Sequence, residues 1–129
     1  MSTTSPAASR TSEFFRLLDA KDAAEMQARA SDDVQAADEL TRRWLRGREG
    51  LEAYLRDNLP HLTDIHSTID DVAVRAWGDI EVVTCLLHQS YVFDGRRSEV
   101  EAPTTMIWHR HGDAWKLVLF HSIPLSTAP

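Results

Sequence analysis

The side chains in this sequence that could do chemistry are six histidines, one cysteine and a run of carboxylates. Histidine changes charge near neutral pH and is the commonest metal ligand. His109 and His111 are two apart, hence on one face of a strand, but they flank a glycine turn and no third ligand stands at a metal-site spacing from them. The sequence therefore predicts no metal. Cys85 sits alone in the apolar run "VVTCLL", without the partner that a disulfide, a redox pair or a zinc site requires. No Gly-rich phosphate loop and no Ser/His/Asp order is present, so nucleotide-dependent and serine-nucleophile chemistry are set aside and no cofactor is expected. Two stretches remain. The carboxylates of "DDVQAADE", Asp32 to Glu39, have the plain reading of an acidic exposed turn. The stretch "TTMIWHRHGDAWKLVLFHS", 104–122, alternates aromatic, apolar and histidine side chains on both sides of one turn. Such a lining suits one wall of a pocket for a small apolar molecule, and equally a closed core.

The elements that must hold these residues follow from periodicity. "EFFRLLDA" places Phe14, Phe15, Leu17 and Leu18 on one broad helical face from Glu13 to Ala20, with Ser12 as N-cap. "KDAAEMQARAS" continues as a second helix, anchored by Met26 and capped by Asp22, and "VQAA" reads as a short strand. The third helix, Gly47 to Leu59, has Leu51, Tyr54, Leu55 and Leu59 at spacings of three and four, and Pro60 stops it. Beyond Pro60 the pattern turns to strand. Four segments, about His61–Ala76, Ile80–Phe93, Arg97–Arg110 and Ala114–Ile123, are separated by "WGD", "DGR" and "HGD", each with glycine beside aspartate as tight hairpins demand. Helices first and an antiparallel meander second make an α+β protein. The last three strands are apolar on both faces, whereas a sheet with one wet face should alternate. Both faces are therefore expected to be covered, one by the helices and the other by a second copy, in a homodimer through the sheet.

At 129 residues the chain fits one domain with one core. We read residues 1–12 as a disordered tail, 13–125 as the domain and 126–129 as a C-terminal tail. Formal charge is −6, with 20 acidic against 14 basic residues, which argues against a nucleic-acid surface. The one basic knot, "RRWLRGR" (Arg42 to Arg48), reads as a solvated helix start. The N-terminus lacks the apolar segment of a signal peptide and no apolar run approaches a membrane span of ~20 residues, so a cytoplasmic protein without membrane contact is expected.

Three helices followed by a strongly bent antiparallel sheet resemble the cone-shaped α+β barrel of the nuclear transport factor 2-like superfamily, in particular its SnoaL-like members. The resemblance covers roughly Glu13 to Leu125. Its most specific part is a threonine, two residues, "WHR", a glycine-containing turn, "W" and "V-x-F-H-S", which resembles the end of the association domain of calcium/calmodulin-dependent protein kinase II. "GREGLEAYL" and the turn at Gly78-Asp79 support it. The superfamily includes ketosteroid isomerase, polyketide cyclases, scytalone dehydratase and limonene epoxide hydrolase, beside non-catalytic binders and oligomerising hubs. The fold alone does not choose among them.

Laid on the isomerase, "ASDDVQAADELTRRWLRG" places Asp38 at the position of the base. The resemblance implies a partly desolvated carboxylate of raised pKa that takes a proton from carbon beside a carbonyl. The isomerase's two oxyanion donors fall on Phe14 and on Thr105 or Met106, of which only Thr105 can donate, and weakly. Against the kinase hub, the positions that carry cavity arginines fall on Leu87, Met106 and Ser122, so an anion-binding cavity becomes an apolar one. Alternation along the strands then adds Gln89 and Tyr91, Thr104 and Trp108, and Val118 and Phe120 to the same face. Trp44 and Tyr54 either close the mouth or pack the helices. His121 and His88 have the opposite parity and face the expected dimer contact.

Two readings follow. One is a cofactor-free cyclase, isomerase or dehydratase of a polyketide- or terpenoid-like substrate, with Asp38 as general base and Tyr91, Gln89 or Thr104 orienting an oxygen. The other is a non-catalytic ligand-binding or oligomerisation module.

Overall fold

The computed structural model describes residues 5–124. Its first helix, α1 (Pro6–Asp19), starts seven residues before the expected Glu13. Ser5 is its N-cap, accepting from the Ala8 amide at 3.1 Å, and Pro6 occupies the first turn, where a missing N–H costs nothing. Residues 6–12, expected as a disordered tail, are thus the first half of α1. They are also anchored: Thr11 is buried and accepts from Trp108 Nε1 at 3.1 Å. The Arg10 guanidinium lies over the rings of Trp108 and Trp115, at 5.2 and 4.8 Å from their centroids, and pairs with Glu81 at 3.0 Å. The expected tail at 126–129 lies outside the described residues.

α2 (Ala23–Ala28) is capped by Asp22, as its sequence predicts. The expected short strand at "VQAA" is longer, β1 (Ala30–Asp38), and is followed by an unforeseen two-residue strand, β2 (Leu45–Arg46). α3 (Gly47–Asn58) runs into a 3-10 turn, Leu59–His61, that contains Pro60. Then come β3 (Leu62–Trp77), β4 (Ile80–Phe93), β5 (Arg96–His111) and β6 (Ala114–Ser122), within about a residue of the segments read from the sequence. At the β4–β5 turn Asp94 and Gly95 both have positive φ, 47° and 84°, which a two-residue primed hairpin demands and which explains the Asp-Gly pair.

The fold is α+β: three helices on a curved six-stranded sheet of order β2-β1-β6-β5-β4-β3. The sheet is open, with β2 and β3 at its edges. β3 to β6 form the antiparallel meander, but β1 joins β6 in parallel, with Asp38 opposite Ser122, so the sheet is not wholly antiparallel as expected. A bulge in β6 pairs Ile107 with Leu119 but Trp108 with Leu117. It turns Leu117 into the core, 2% exposed, and leaves Val118, expected on the inner face, half-buried elsewhere.

The core lies between the helices and the inner face, where Val83, Met106 and Trp108 are fully buried. Phe14 meets the Trp108 ring edge-on, with centroids 6.3 Å apart. The outer face carries Val82, Leu86, Ile107 and Leu119, all half-buried. No helix among the described residues is long and apolar enough to cross a membrane.

Candidate functional site

Asp38 is the last residue of β1, held beside β6, and its carboxylate closes the turn that follows. Oδ1 accepts from the Leu40 amide at 3.1 Å, the Thr41 amide at 3.2 Å and the Thr41 hydroxyl at 3.3 Å. These contacts fix the group, and among the described residues Oδ2 has one partner, the Tyr54 hydroxyl, which donates a hydrogen bond to it. Tyr54 comes from α3, sixteen residues on. Burial, then the Asp38 charge and the hydrogen bond to it, push the phenol far above its ordinary value, so it keeps its proton and donates it to Asp38 in the hydrogen bond.

Beside this pair stands a second one. Burial pushes the Glu39 carboxyl up, the Asp38 charge adds to that, and Tyr91 and Arg42 act in the opposite sense. Burial and the Glu39 carboxylate push the Tyr91 phenol up to about 12. Two carboxylates and two neutral phenols therefore converge at one end of the interior.

Asp38 and Tyr54 border two small cavities, and Glu39 and Tyr91 border the first of them. The first, about 50 Å³, is lined by Asp38, Glu39, Tyr54, Gln89, Tyr91 and Ser122 together with apolar residues that include Leu18, Leu87 and Phe120. The second, about 70 Å³, lies under α1 and α3 and is apolar except for Asp38 and Tyr54. Phe14, Val34, Ala36, Leu51 and Leu117 are among its walls.

Of the residues selected from sequence, Asp38, Tyr54, Leu87, Gln89, Tyr91, Phe120, Ser122 and Phe14 meet at these cavities. Met106 and Trp108 do not: both are sealed in the core at 0% exposure. Thr104 is buried behind the wall, donating to the Ala102 carbonyl at 3.0 Å and sharing a 2.8 Å hydrogen bond with Ser122, so its hydroxyl is not free to orient a ligand. Gln89 lines the first cavity but spends an amide hydrogen on Ser67, which in turn donates to Asp19. Trp44 is 43% exposed and stacks on His121, 5.7 Å between centroids, so it closes no mouth. His88 sits between Asp70 and Glu101 at 3.1 and 3.4 Å.

Sequence reasoning missed Glu39, although it adjoins Asp38, and the walls Leu18, Leu62, Ile65 and Val100. It also took Tyr54 for a mouth or packing residue. Phe14 and Met106, two of the residues that the isomerase resemblance aligned with its donors beside Thr105, have no side-chain donor, whereas Tyr54 and Tyr91 bring phenols to the first cavity. Among the described residues no group of three or more His, Cys, Asp or Glu is placed to hold a metal. His109 and His111 pair with each other at 3.0 Å.

No curated protein matches the sequence. Among solved structures, one from Xanthomonas campestris, named for the calcium/calmodulin-dependent protein kinase II association domain, superposes with a TM-score of 0.82 at 17% identity, over 98% of this chain and 95% of its own. A protein of the nuclear transport factor 2-like family from Streptomyces avermitilis, named for a dehydratase, gives 0.79 at 19% identity over 91% and 92%. A nuclear transport factor 2-like protein from Rhodospirillum rubrum, described as of unknown function in nutrient uptake, gives 0.74 at 28% identity over 89% and 95%. Residues 8–126 match the SnoaL-like domain, and the chain belongs to that family.

Proposed function

We propose that the protein binds a small, largely apolar molecule between helices and sheet and carries out cofactor-free acid–base chemistry on it, an isomerisation or the enolisation that opens a cyclisation or dehydration. The observation that carries this reading is the direct hydrogen bond from Tyr54 to Asp38 at a wall shared by both cavities. Asp38 Oδ2 takes a proton from carbon next to a carbonyl, while Oδ1 stays tied to Leu40 and Thr41. The Tyr54 hydroxyl, released from Asp38, turns to donate to the oxygen that becomes negative. Burial, the first cause of its raised pKa, persists after Asp38 has taken its proton, so the phenol donates to the enolate without losing its own proton. Asp38 then returns the proton to the same or a neighbouring carbon. The structure of a protein named for a dehydratase lends the reading a precedent in fold.

The test is exchange of carbon-bound hydrogen in a panel of small ketones in deuterium oxide, followed by proton NMR. Asp38→Asn keeps an acceptor for Leu40 and Thr41 but loses the base, and exchange should fall by about 10²–10⁴-fold. Tyr54→Phe should cost about 10²–10³-fold. An Asp38→Asn variant that exchanges at the wild-type rate sinks the mechanism.

A second reading concerns the outer face of the sheet. Val82, Leu86, Ile107 and Leu119 form an apolar strip there, and a structure named for an association domain shares the fold. We propose a homodimer through this face, compatible with the acid–base reading. We also propose a cytoplasmic setting, because the lone Cys85 has no disulfide partner; burial pushes its thiol up to about 11, so it stays protonated.

A further inference from the structure

The two cavities share four residues, Leu18, Asp38, Tyr54 and Phe120, so one partition separates them. Neither space alone approaches the ~150 Å³ of a cavity that takes up benzene, and joined they come near it. The two halves differ in chemistry. One offers hydrogen-bonding groups from Tyr54, Tyr91, Gln89 and Ser122, and the other, past Ala36 and Leu51, offers hydrocarbon. Charge narrows the occupant further. Asp38 and Glu39 line the polar half, and among the described residues no lysine, arginine or histidine lines either one. A carboxylate ligand would face two carboxylates with no cationic side chain among the described lining residues. An ammonium would be attracted by the same pair, but both Asp38 oxygens already accept hydrogen bonds, and the loss of its hydration shell opposes entry.

We propose that the two cavities are halves of one binding site, and that its ligand is a short, uncharged aliphatic ketone or alcohol of about five or six non-hydrogen atoms. Its oxygen sits at Tyr54 and its chain runs past the partition into the apolar half. The proposal rests on the acid–base reading and narrows its substrate: an extended polyketide or terpenoid skeleton exceeds the joined space.

Three probes of equal non-hydrogen count separate the alternatives: 2-pentanone, butyrate and pentylamine, titrated into the isotope-labelled protein by NMR near neutral pH. 2-Pentanone should bind on the order of millimolar, as so small a molecule allows, and about tenfold or more tighter than either charged probe. Ala36→Leu fills the apolar half and should weaken 2-pentanone by about tenfold or more. Leu45→Phe narrows the same half from the half-buried edge strand β2 and should act alike if Ala36→Leu fails to fold. Butyrate or pentylamine binding as tightly as 2-pentanone overturns the proposal, as does wild-type affinity for 2-pentanone in both filled variants. Binding is read here without turnover. Full exchange by Asp38→Asn would therefore remove the catalytic reading and leave this one standing, while exchange of 2-pentanone without selective binding would do the reverse.

Discussion

Met106 and Ile107 are neighbours in β5, both apolar, and point to opposite faces of one sheet. Met106 is fully buried between Val83 and Phe120, beneath the helices. Ile107, between Val82 and Leu119, is only half-buried. The two faces have similar residues and different burial. Hydrophobicity on both sides of a strand therefore does not say how deeply either side is covered within one chain.

The largest effect should come from truncating the two neighbours in turn. Met106→Ala leaves a cavity in a packed core and should cost about 2–5 kcal/mol. Ile107→Ala, measured at a protein concentration low enough to exclude association, should cost less than about 1 kcal/mol. Urea unfolding with an unchanged slope measures both. Equal losses would mean that the outer face is as tightly packed within one chain as the inner, and the comparison would fail.

A smaller effect on the fold, but a qualitative one on assembly, is expected from Ile107→Asp. A carboxylate in the middle of the outer strip should leave the circular dichroism spectrum unchanged and convert a dimer to a monomer by light scattering coupled to size exclusion. A wild-type protein that is monomeric at all concentrations would make the outer strip an unused surface and remove the second reading.

How much of this was legible in the sequence depends on the range of the interaction. Hairpin turns are local, and "DGR" already contains the Asp94-Gly95 pair whose positive φ values close β4 onto β5. The cap of α2 at Asp22 is equally local. The start of α1 was legible too, since Ser5-Pro6 is an N-cap followed by a first-turn proline, but the small polar composition around it suggested a tail. The parallel pairing of β1 with β6 joins residues more than eighty positions apart, and nothing near Asp38 announces it. The bulge at Val118 inverted one face assignment because a period of two has no memory of an inserted residue. The central contact of the site, Tyr54 to Asp38, exists only once α3 is laid against the end of β1. Periodicity placed Tyr54 on the correct helical face and could say no more.

The inner face is itself not uniform, and the smallest predicted effect tests its polar end. Glu39 lies there with its carboxyl pushed above the ordinary 4.5, chiefly by burial and then by the Asp38 charge. A carboxyl raised in the folded state binds its proton more readily folded than unfolded. Its favourable contribution is full below the unfolded value and is lost as pH rises through the higher folded value. Glu39→Gln removes the charge and keeps a side chain that can accept from Tyr91. The variant should therefore gain on the wild type as pH rises from about 4 to about 7, and the difference should close again toward acid. Met106→Ala, which removes no titrating group, should lose the same amount at both ends of that range. A Glu39→Gln variant whose midpoint in urea runs parallel to the wild type across the range would mean that water reaches Glu39 freely, and that the polar end of the inner face is no drier than the outer face it was set against.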